Sequence, residues 1–371
     1  MDGPTVGRMA AFGRIGRKEK VNLDHALRHP LSGYLGGQRH STGYFINQLS
    51  DRWCASFGCK HAIPCNSATS GLLAACMAIG IRPGDVVWVT AYSMSATAAC
   101  AKVLGADVRF IDIETVRFSL NMNMASVSPV PKAIIVANLF GHPAYLSSMR
   151  AWCDSNKVWM IEDAAQSPFA MEGKKYAGTV GHIGVFSFNV HKHIQCGEGG
   201  VIVTDDDTLA SKLAGVINHG ELSSDSIVGL NLRMTEPVAA IACAQLARAH
   251  GIIESRRALA QDLTGMVRDI PWVRAQGDDI DCKHVYYRWA ARVTNGKRDL
   301  FVRKLNERGV PMLAGYSPPL NRVFKADQIC PVAEYLEDHE LISFGICEWE
   351  PKKRHLNQMR EVIRFVAGVL T

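Results

Sequence analysis

The sequence predicts an α/β fold, in which a large domain with a mostly parallel central sheet covered by helices is followed by a smaller C-terminal α/β domain. Two observations predict it. From Ala62 onward, short β-branched runs alternate with amphipathic helical stretches, which is typical of a parallel sheet covered on both faces. A chain of 371 residues, 47% of them hydrophobic, is also long and apolar enough to bury such a core.

Residues 1–60 are predicted to form an N-terminal arm with helices. A polar stretch with spaced apolar positions covers residues 17–28, and a glycine-rich turn follows at residues 30–37. Residues 44–57 have helical periodicity, because four large apolar residues lie three or four positions apart: Ile46, Leu49, Trp53 and Phe57. Such a stripe predicts a helix that packs one face in the core.

Residues 61–250 are predicted to be the large domain. Strands are expected at residues 86–89, 108–113, 133–136, 158–161, 183–188 and 201–203, and helices at 70–79, 95–104, 147–155 and 208–216. One long helix over residues 238–257 is expected to lead out of this domain. In a sheet of this kind, ligands bind at the carboxyl ends of the strands.

Residues 251–371 are predicted to be the smaller domain. A strand is expected at residues 285–293, a helix at 299–308, a proline-rich turn at 317–319 and a final helix at 356–369. The chain contains no internal repeat and no low-complexity segment.

Composition and charge narrow the classes of function. The net charge of +6 is mild and its basic clusters are short, so we expect no nucleic-acid partner. The chain has no run of eighteen apolar residues and no apolar signal segment at its start, so we expect no membrane association and a cytoplasmic location. The eleven cysteines form no CxxC pair and no Cys/His cluster with zinc spacing, so we expect core thiols and no metal site.

The segment at residues 184–200 (GVFSFNVHKHIQCGEGG) is the hardest to explain by folding alone. An apolar run predicts a strand, a polar turn carries Lys192, and a glycine-rich stretch leads into a second strand. A lysine held between two buried strands is partly desolvated, so its amine becomes more nucleophilic, as Schiff-base chemistry requires. A loop lysine can equally be an ordinary solvated charge, so other residues must decide.

A second stretch, residues 65–71 (CNSATSG), opens a predicted helix with small hydroxyl residues. Unpaired N–H groups and the positive end of the helix dipole make such a start a phosphate site. Ordinary N-capping by Ser67 or Thr69 explains the same residues.

A third stretch, residues 158–166 (VWMIEDAAQ), is a buried strand that ends in acids. Asp163 at its carboxyl end is placed to hold a cationic ring nitrogen, and Ala165 is small enough to lie beneath a flat ring. Helix capping by Asp163 is the alternative. An amine, a carboxylate and a phosphate cradle are the three groups that a pyridoxal phosphate enzyme needs, so their joint occurrence favours that cofactor.

From residue 13 to near the C-terminus, the chain resembles the DegT-type (DegT/DnrJ/StrS) sugar aminotransferases, which are fold type I enzymes that use pyridoxal phosphate. The matching segments are residues 32–38 (SGYLGGQ), 66–72 (NSATSGL), 82–93 (RPGDVVWVTAYS), 161–167 (IEDAAQS), 186–200 (FSFNVHKHIQCGEGG) and 229–234 (GLNLRM). The resemblance implies that Lys192 is the Schiff-base lysine and that Asp163 binds the pyridine nitrogen.

The resemblance also implies the remaining cofactor contacts. Gln166 would hydrogen-bond the phenolic oxygen of the ring, and three residues would hold the phosphate: Ala68, Thr69 and Ser187. Asn231 would come from the other subunit of a homodimer whose active sites lie at the interface. Relatives place an aromatic residue against the ring where this chain has Met94, so either Met94 or the nearby Tyr92 is expected to pack there. Tyr316 and His142 lie in segments that resemble loops near the substrate.

The implied activity is a ping-pong transamination. Glutamate or glutamine would be the amino donor, pyridoxamine phosphate the intermediate form of the cofactor, and a nucleotide-linked keto sugar or a ketocyclitol the acceptor. Two alternatives remain. Some relatives are sugar dehydratases that carry histidine in place of the lysine, which Lys192 argues against, and a non-catalytic regulatory relative is the other.

Overall fold

The computed structural model describes residues 3–11, 15–32, 43–124, 129–221, 227–277 and 281–370. The matching segment at residues 32–38 lies outside them, apart from Ser32. The strands are β1 (Ala10–Ala11), β2 (His61–Cys65), β3 (Val86–Thr90), β4 (Asp107–Ile111), β5 (Ala133–Ala137), β6 (Trp159–Asp163), β7 (Met171–Glu172), β8 (Lys175–Tyr176), β9 (Ile183–Ser187), β10 (Gly200–Thr204), β11 (Val273–Ala275), β12 (Cys282–Lys283), β13 (Trp289–Val293), β14 (Leu313–Ala314), β15 (Leu341–Phe344) and β16 (Trp349–Glu350).

The helices complete the element list. They are α1 (Arg17–Ala26), α2 (Tyr44–Phe57), α3 (Ala68–Ala78), α4 (Ala96–Lys102), α5 (Leu146–Asn156), α6 (Asp207–Ile217), α7 (Glu236–Leu246), α8 (Ala249–Val267), α9 (Arg298–Glu307), α10 (Leu320–Val323), α11 (Pro331–Tyr335) and α12 (Lys353–Leu370). Short 3₁₀ turns lie at Met122–Met124 and Leu139–Gly141, and a π-helical turn lies at Leu336–Glu340. Within the ranges described, no helix is long and apolar enough to cross a membrane.

A seven-stranded sheet forms the centre of the fold, in the order β2-β10-β9-β6-β5-β3-β4. β10 pairs antiparallel with both of its neighbours, and the remaining neighbouring pairs are parallel. The predicted mostly parallel sheet covered by helices is therefore confirmed. Because β3, β5, β6 and β9 run in the same direction, their carboxyl ends meet at one edge of the sheet.

Helices cover both faces of this sheet. α3, α4 and α6 pack their apolar residues on one face. α2 and α7 pack on the opposite face, over β9 and β10. The predicted stripe on α2 is confirmed, since all four of its members are buried: Ile46, Leu49, Trp53 and Phe57.

The C-terminal part builds a four-stranded antiparallel sheet in the order β11-β13-β15-β14, with α8, α9 and α12 packed against it. Other residues of this part join the core of the seven-stranded sheet instead: Ala290, Leu320, Cys330, Ala333, Leu336 and Leu341. The N–H of Leu320 also donates to the carbonyl of Ala91 at 2.7 Å, which ties the two parts together. The division of the chain at residues 60 and 250 stays a prediction.

The single helix expected over residues 238–257 is wrong, because the chain forms α7 and α8 with a break at Ala247 and Arg248. At this break the Arg248 guanidinium forms a 2.7 Å ion pair with the buried carboxylate of Glu19. The predicted strand over residues 285–293 forms only from Trp289. The strands β2 and β15 were not predicted, because β2 contains a proline and β15 is a short apolar run without alternation.

The start of α2 is held by a carboxylate from α7. Its N-cap position is Gly43, which has no side chain to accept a hydrogen bond. Glu236, buried at 1% exposure, accepts from the N–H groups of Phe45 at 2.9 Å and Ile46 at 3.0 Å. The carboxylate also lies at the positive end of the α2 dipole, so it stabilises this helix electrostatically.

Replacing Glu236 with alanine should lower the free energy of unfolding by about 1–3 kcal/mol, because two buried N–H groups lose their acceptor. Urea unfolding followed by circular dichroism measures the change. Glu361→Ala, on an exposed position of α12, is the matched control and should leave the midpoint close to that of the wild type. Equal midpoints for the two variants would show that the cap contributes nothing.

Candidate active site

A cavity of about 470 Å³ opens at the edge of the sheet where the parallel strands end. It lies among the loops that follow β2, β3, β5, β6 and β9 and two tyrosines from the C-terminal part. The sequence-predicted residues that line it are Ala68, Thr69, Met94, Asp163, Ala165, Gln166, Ser187, Lys192 and Tyr316. Five loops and two tyrosines distant in sequence therefore meet in one cavity, at the edge where ligands bind in sheets of this kind.

Asp163 is the last residue of β6 and is almost fully buried, at 7% exposure. Its carboxylate accepts from the hydroxyl of Thr97 at 2.7 Å and from the N–H of Ala165 at 3.2 Å. Burial raises the pKa of this carboxyl, while these hydrogen bonds and the charge of Lys192 act in the opposite direction. A cation placed beside Asp163 would therefore offset a desolvation cost that the fold has already incurred.

The neighbouring acid, Glu162, has a different task. Successive side chains of a strand point to opposite faces, so Glu162 points away from Asp163. It is fully buried and accepts from the N–H groups of Gly178, Val180 and Gly181 at 2.6, 2.8 and 2.5 Å. This carboxylate holds the turn before β9, so of the two acids only Asp163 belongs to the cavity.

Lys192 lies in the turn that follows β9, where its N–H donates to the carbonyl of Asn189 at 2.9 Å. Its ammonium nitrogen lies 4.3 Å from the centre of the Tyr287 ring. Burial lowers the pKa of Lys192 to about 8, against the opposing attraction of Asp163. The neutral form of this amine is therefore a minority species near physiological pH, but one far more populated than in a free lysine, so it can act as a nucleophile and as a base.

The first turn of α3 contributes N–H groups and hydroxyls to the cavity. Ser67 caps the helix, because its hydroxyl accepts from the N–H of Ser70 at 3.1 Å, so the capping interpretation is confirmed for Ser67. The N–H groups of Ala68 and Thr69 are in the first helical turn, where no intrahelical acceptor exists. A side chain at Gly200 would lie 2.8 Å from the nitrogen of Ala68, so glycine permits this close approach of β10.

Gln166 is oriented by the backbone. Its carbonyl oxygen accepts from the N–H of Phe140 at 2.7 Å, so the amide nitrogen is the end left to donate. That nitrogen donates to the hydroxyl of Tyr316 at 3.0 Å. Because the Tyr316 oxygen accepts this bond, its own O–H can donate to a ligand in the cavity.

Met94 and Tyr92 lie in different surroundings. Met94 is 53% exposed and lines the cavity. Tyr92 is fully buried in the core, and its hydroxyl bonds to the carboxylate of Glu337. The aromatic side chain therefore has no access to the cavity, and methionine occupies the position beside it.

Two predicted residues lie outside the cavity lining. His142 is buried, and its ring nitrogens lie 2.9 Å from the carbonyl of Pro143 and 3.2 Å from that of Gly277. The prediction that His142 contacts substrate is thus not supported, since its ring packs inside the protein. Asn231 is exposed and pairs through its backbone with Asn218, so this chain does not bring it to its own cavity.

Sequence reasoning missed several residues that shape the site. Thr97 lies in the first turn of α4, and only its contact with Asp163 reveals its role. Tyr287 lines the cavity from the C-terminal part, nearly a hundred residues beyond Lys192. His191 and Glu198, which flank the lysine and glycine motifs, also line the cavity, and their position beside those motifs was the available signal.

These residues fit pyridoxal phosphate. Free N–H groups and a hydroxyl at the start of α3 suit a phosphate, and the buried carboxylate of Asp163 suits a protonated ring nitrogen. Ala165 leaves room for a flat ring, and the lowered pKa of Lys192 suits an amine that must react. Each of these features is a property of the chain itself.

Comparison with known proteins also indicates an aminotransferase. The sequence model of the DegT/DnrJ/EryC1/StrS aminotransferase family matches residues 23–343. The chain is 30% identical to a UDP-N-acetyl-3-dehydro-α-D-glucosamine 3-aminotransferase of Acidithiobacillus ferrooxidans over 76% of its length and 79% of that protein. It is 31% identical to the GDP-perosamine synthase of Caulobacter vibrioides over 75% and 78% of the two chains.

Solved structures share the fold. A DegT DnrJ EryC1 StrS aminotransferase from Brucella abortus superimposes with a TM-score of 0.85 at 24% identity, covering 95% of both chains. A GDP-4-keto-6-deoxymannose-3-dehydratase with a trapped PLP-glutamate geminal diamine superimposes with a TM-score of 0.83 at 23% identity, covering 95% of this chain and 99% of that one. The predicted fold type I architecture is therefore confirmed.

In protein without cofactor, Lys192 should react with an amine-directed reagent as an amine of pKa about 8. The pKa of a free lysine side chain is about 10.4. In Asp163→Asn the value should fall further, because the carboxylate that favours the ammonium form is gone. Labelling at a series of pH values, read by mass spectrometry of the Lys192 peptide, measures both. A wild-type value near that of the free amine would contradict the desolvated site.

Proposed function

The chain belongs to the DegT/DnrJ/EryC1/StrS aminotransferase family, and from this premise we propose that it transfers an amino group from glutamate or glutamine to a keto sugar carried on a nucleotide. The observation that carries the proposal is that Lys192 and Asp163 line one cavity with the first turn of α3. Two relatives, one named for a UDP-linked sugar and one for a GDP-linked sugar, support the class of acceptor.

The proposed cofactor is pyridoxal phosphate. The N–H groups of Ala68 and Thr69 and the hydroxyls of Thr69 and Ser187 would hold its phosphate. Gln166 would donate from its amide nitrogen to the phenolic oxygen, and Met94 would pack against the ring. When bound, the cofactor supplies an electron-accepting ring for the carbanion that remains when the donor loses a proton from its α-carbon.

Lys192 carries the proton transfers. Its neutral amine would take the proton from the α-carbon of the amino donor, and the resulting ammonium would give it to the C4′ carbon of the cofactor within the same half-reaction. In the second half Lys192 would move a proton the opposite way, from C4′ to the acceptor carbon that gains the amino group. A pKa of about 8 suits both taking and giving a proton, because the neutral amine and the ammonium are both populated near neutral pH. Asp163 keeps its partner nitrogen protonated by holding a negative charge beside it.

Lys192 also separates this proposal from the dehydratase alternative, in which histidine replaces the lysine. An amine in the cavity can take part in both halves of a transamination, so aminotransfer is the activity that the site supports. His193 does not substitute for it, since its ring is fully buried and contacts the carbonyl of Val285 at 2.9 Å.

Lys192→Ala should abolish multiple turnover with glutamate, because no other amine is proposed to move the protons. The assay supplies glutamate and an excess of pyridoxal phosphate over protein, so that fresh pyridoxal phosphate replaces each pyridoxamine phosphate released, and it quantifies 2-oxoglutarate and pyridoxamine phosphate by mass spectrometry. Lys174→Ala, at an exposed turn, is the matched control. Multiple turnover retained by Lys192→Ala would refute its role, and a wild type that forms no pyridoxamine phosphate would refute aminotransfer.

We also propose a homodimer in which Asn231 reaches the phosphate of the other subunit. Asn231 is exposed on its own chain, and apolar neighbours are exposed beside it: Val228 at 77% and Leu230 at 39%. Apolar side chains also surround the cavity, including Met94 at 53% and Val190 at 49% exposure. Surfaces of this kind are typical of protein interfaces.

A mixed dimer tests this arrangement. One chain carries Lys192→Ala and the other Asn231→Asp, whose charge repels a phosphate. If sites are shared, one site of the mixed dimer has both native residues, so about half of the wild-type activity should return. The two chains carry different affinity tags, and activity is compared with that of each parent dimer. Activity no higher than the mean of the parents would contradict a shared site.

A further inference from the structure

We propose that the face of the Tyr287 ring is a resting position for the Lys192 ammonium, which keeps the amine inside the cavity whenever it is not bonded to the cofactor. The inference rests on the proposed function and assigns Tyr287 as a positioning residue for that reaction. Nothing in the sequence motifs pointed to Tyr287.

The contact itself is direct. The Lys192 ammonium nitrogen lies 4.3 Å from the centre of the Tyr287 ring, and both residues line the cavity. An ammonium within about 6 Å of the centre of an aromatic ring is attracted by the negative potential of the ring face. The attraction strengthens as water is excluded, and Lys192 and Tyr287 are each partly buried.

The backbone on both sides of Tyr287 is held in place. The N–H of Val285 donates to the carbonyl of Gly141 at 3.0 Å, and the N–H of Arg288 donates to that of Phe140 at 3.3 Å. Gly141 has φ +93°, and a side chain there would lie 2.9 Å from the nitrogen of Tyr287. The ring is thus carried by a segment that docks tightly on the loop after β5.

The lysine turn provides a third attachment. His193 directly follows Lys192, is fully buried, and its Nε2 atom lies 2.9 Å from the carbonyl of Val285. The turn that presents the amine therefore also binds the segment that presents the ring. This contact gives His193 a structural role, although it is not one of the proposed catalytic residues.

The other charges near Lys192 do not replace the ring. Burial disfavours the ammonium charge most strongly and Arg288 also opposes it, whereas Asp163 and Cys347 favour it. Burial also raises the pKa of the Tyr287 hydroxyl, so the phenol stays neutral and acts through its ring. A released amine that is attracted only by Asp163 would compete with the ring nitrogen of the cofactor for that carboxylate, and the Tyr287 face gives it another partner.

The experiment measures the pKa of Lys192 in cofactor-free, full-length protein by pH-dependent labelling and peptide mass spectrometry. In Tyr287→Leu the pKa should fall by roughly 0.5–1 unit, which is a threefold to tenfold change in the protonation equilibrium, because an apolar cover remains but the ring is lost. Tyr287→Phe keeps the ring face and should match the wild type. Tyr335→Leu, at an exposed tyrosine, is the matched control.

A second series keeps the shape of the ring. Phenylalanine analogues with increasing numbers of fluorine atoms at position 287 withdraw electron density from the ring face, so the pKa of Lys192 should fall stepwise along the series. The proposal would be overturned if the pKa of Lys192 did not change along the fluorinated series, or if its pKa in Tyr287→Leu were equal to or above that of the wild type. The measurement needs neither cofactor nor substrate, so its failure is distinct from a failure of the wild type to form pyridoxamine phosphate from glutamate.

Discussion

The site depends on one constraint, the burial of a carboxylate and an amine at the same edge of a parallel sheet. β6 and β9 are parallel neighbours, with Asp163 opposite Val185 in their pairing. The chain then needs only a short turn beyond Ser187 to bring Lys192 into the cavity that Asp163 lines. Burial disfavours the charge on each group, and each group opposes that effect in the other. Burial therefore produces an amine of low pKa and a carboxylate that favours a bound cation, and the attraction between the two groups limits both pKa shifts.

The C-terminal part completes the site. Leu320 binds the backbone after β3, the segment 285–288 binds the loop after β5, and Tyr316 receives the amide of Gln166. These contacts place two tyrosines in the wall of the cavity and cover groups that the sheet alone would leave open. The C-terminal part therefore contributes two walls of a cavity whose other lining residues come from the loops of the seven-stranded sheet.

Much of this could be predicted from particular residues. The alternation of strands and helices predicted the sheet, and the strand-end positions of Asp163 and Lys192 predicted that they would meet. Ser67 confirms the capping interpretation, since its hydroxyl accepts from the N–H of Ser70, while the phosphate site at the same helix start stays a prediction. Predictions based on local pattern were wrong where a long-range contact decided the outcome, as at Arg248, whose ion pair with Glu19 accompanies the break between α7 and α8.

The sequence by itself determined the class of fold, the family resemblance and the residue types at the strand ends, because periodicity and strand-end chemistry are local properties of a chain. Only the tertiary structure decided that Met94 rather than Tyr92 lines the cavity, that Glu162 serves the fold while Asp163 serves the site, and that His142 packs in the interior. It also brought Thr97 to Asp163 and Tyr287 to Lys192, pairs separated by 66 and by 95 residues. Such pairings follow from how distant elements pack, which no local pattern contains.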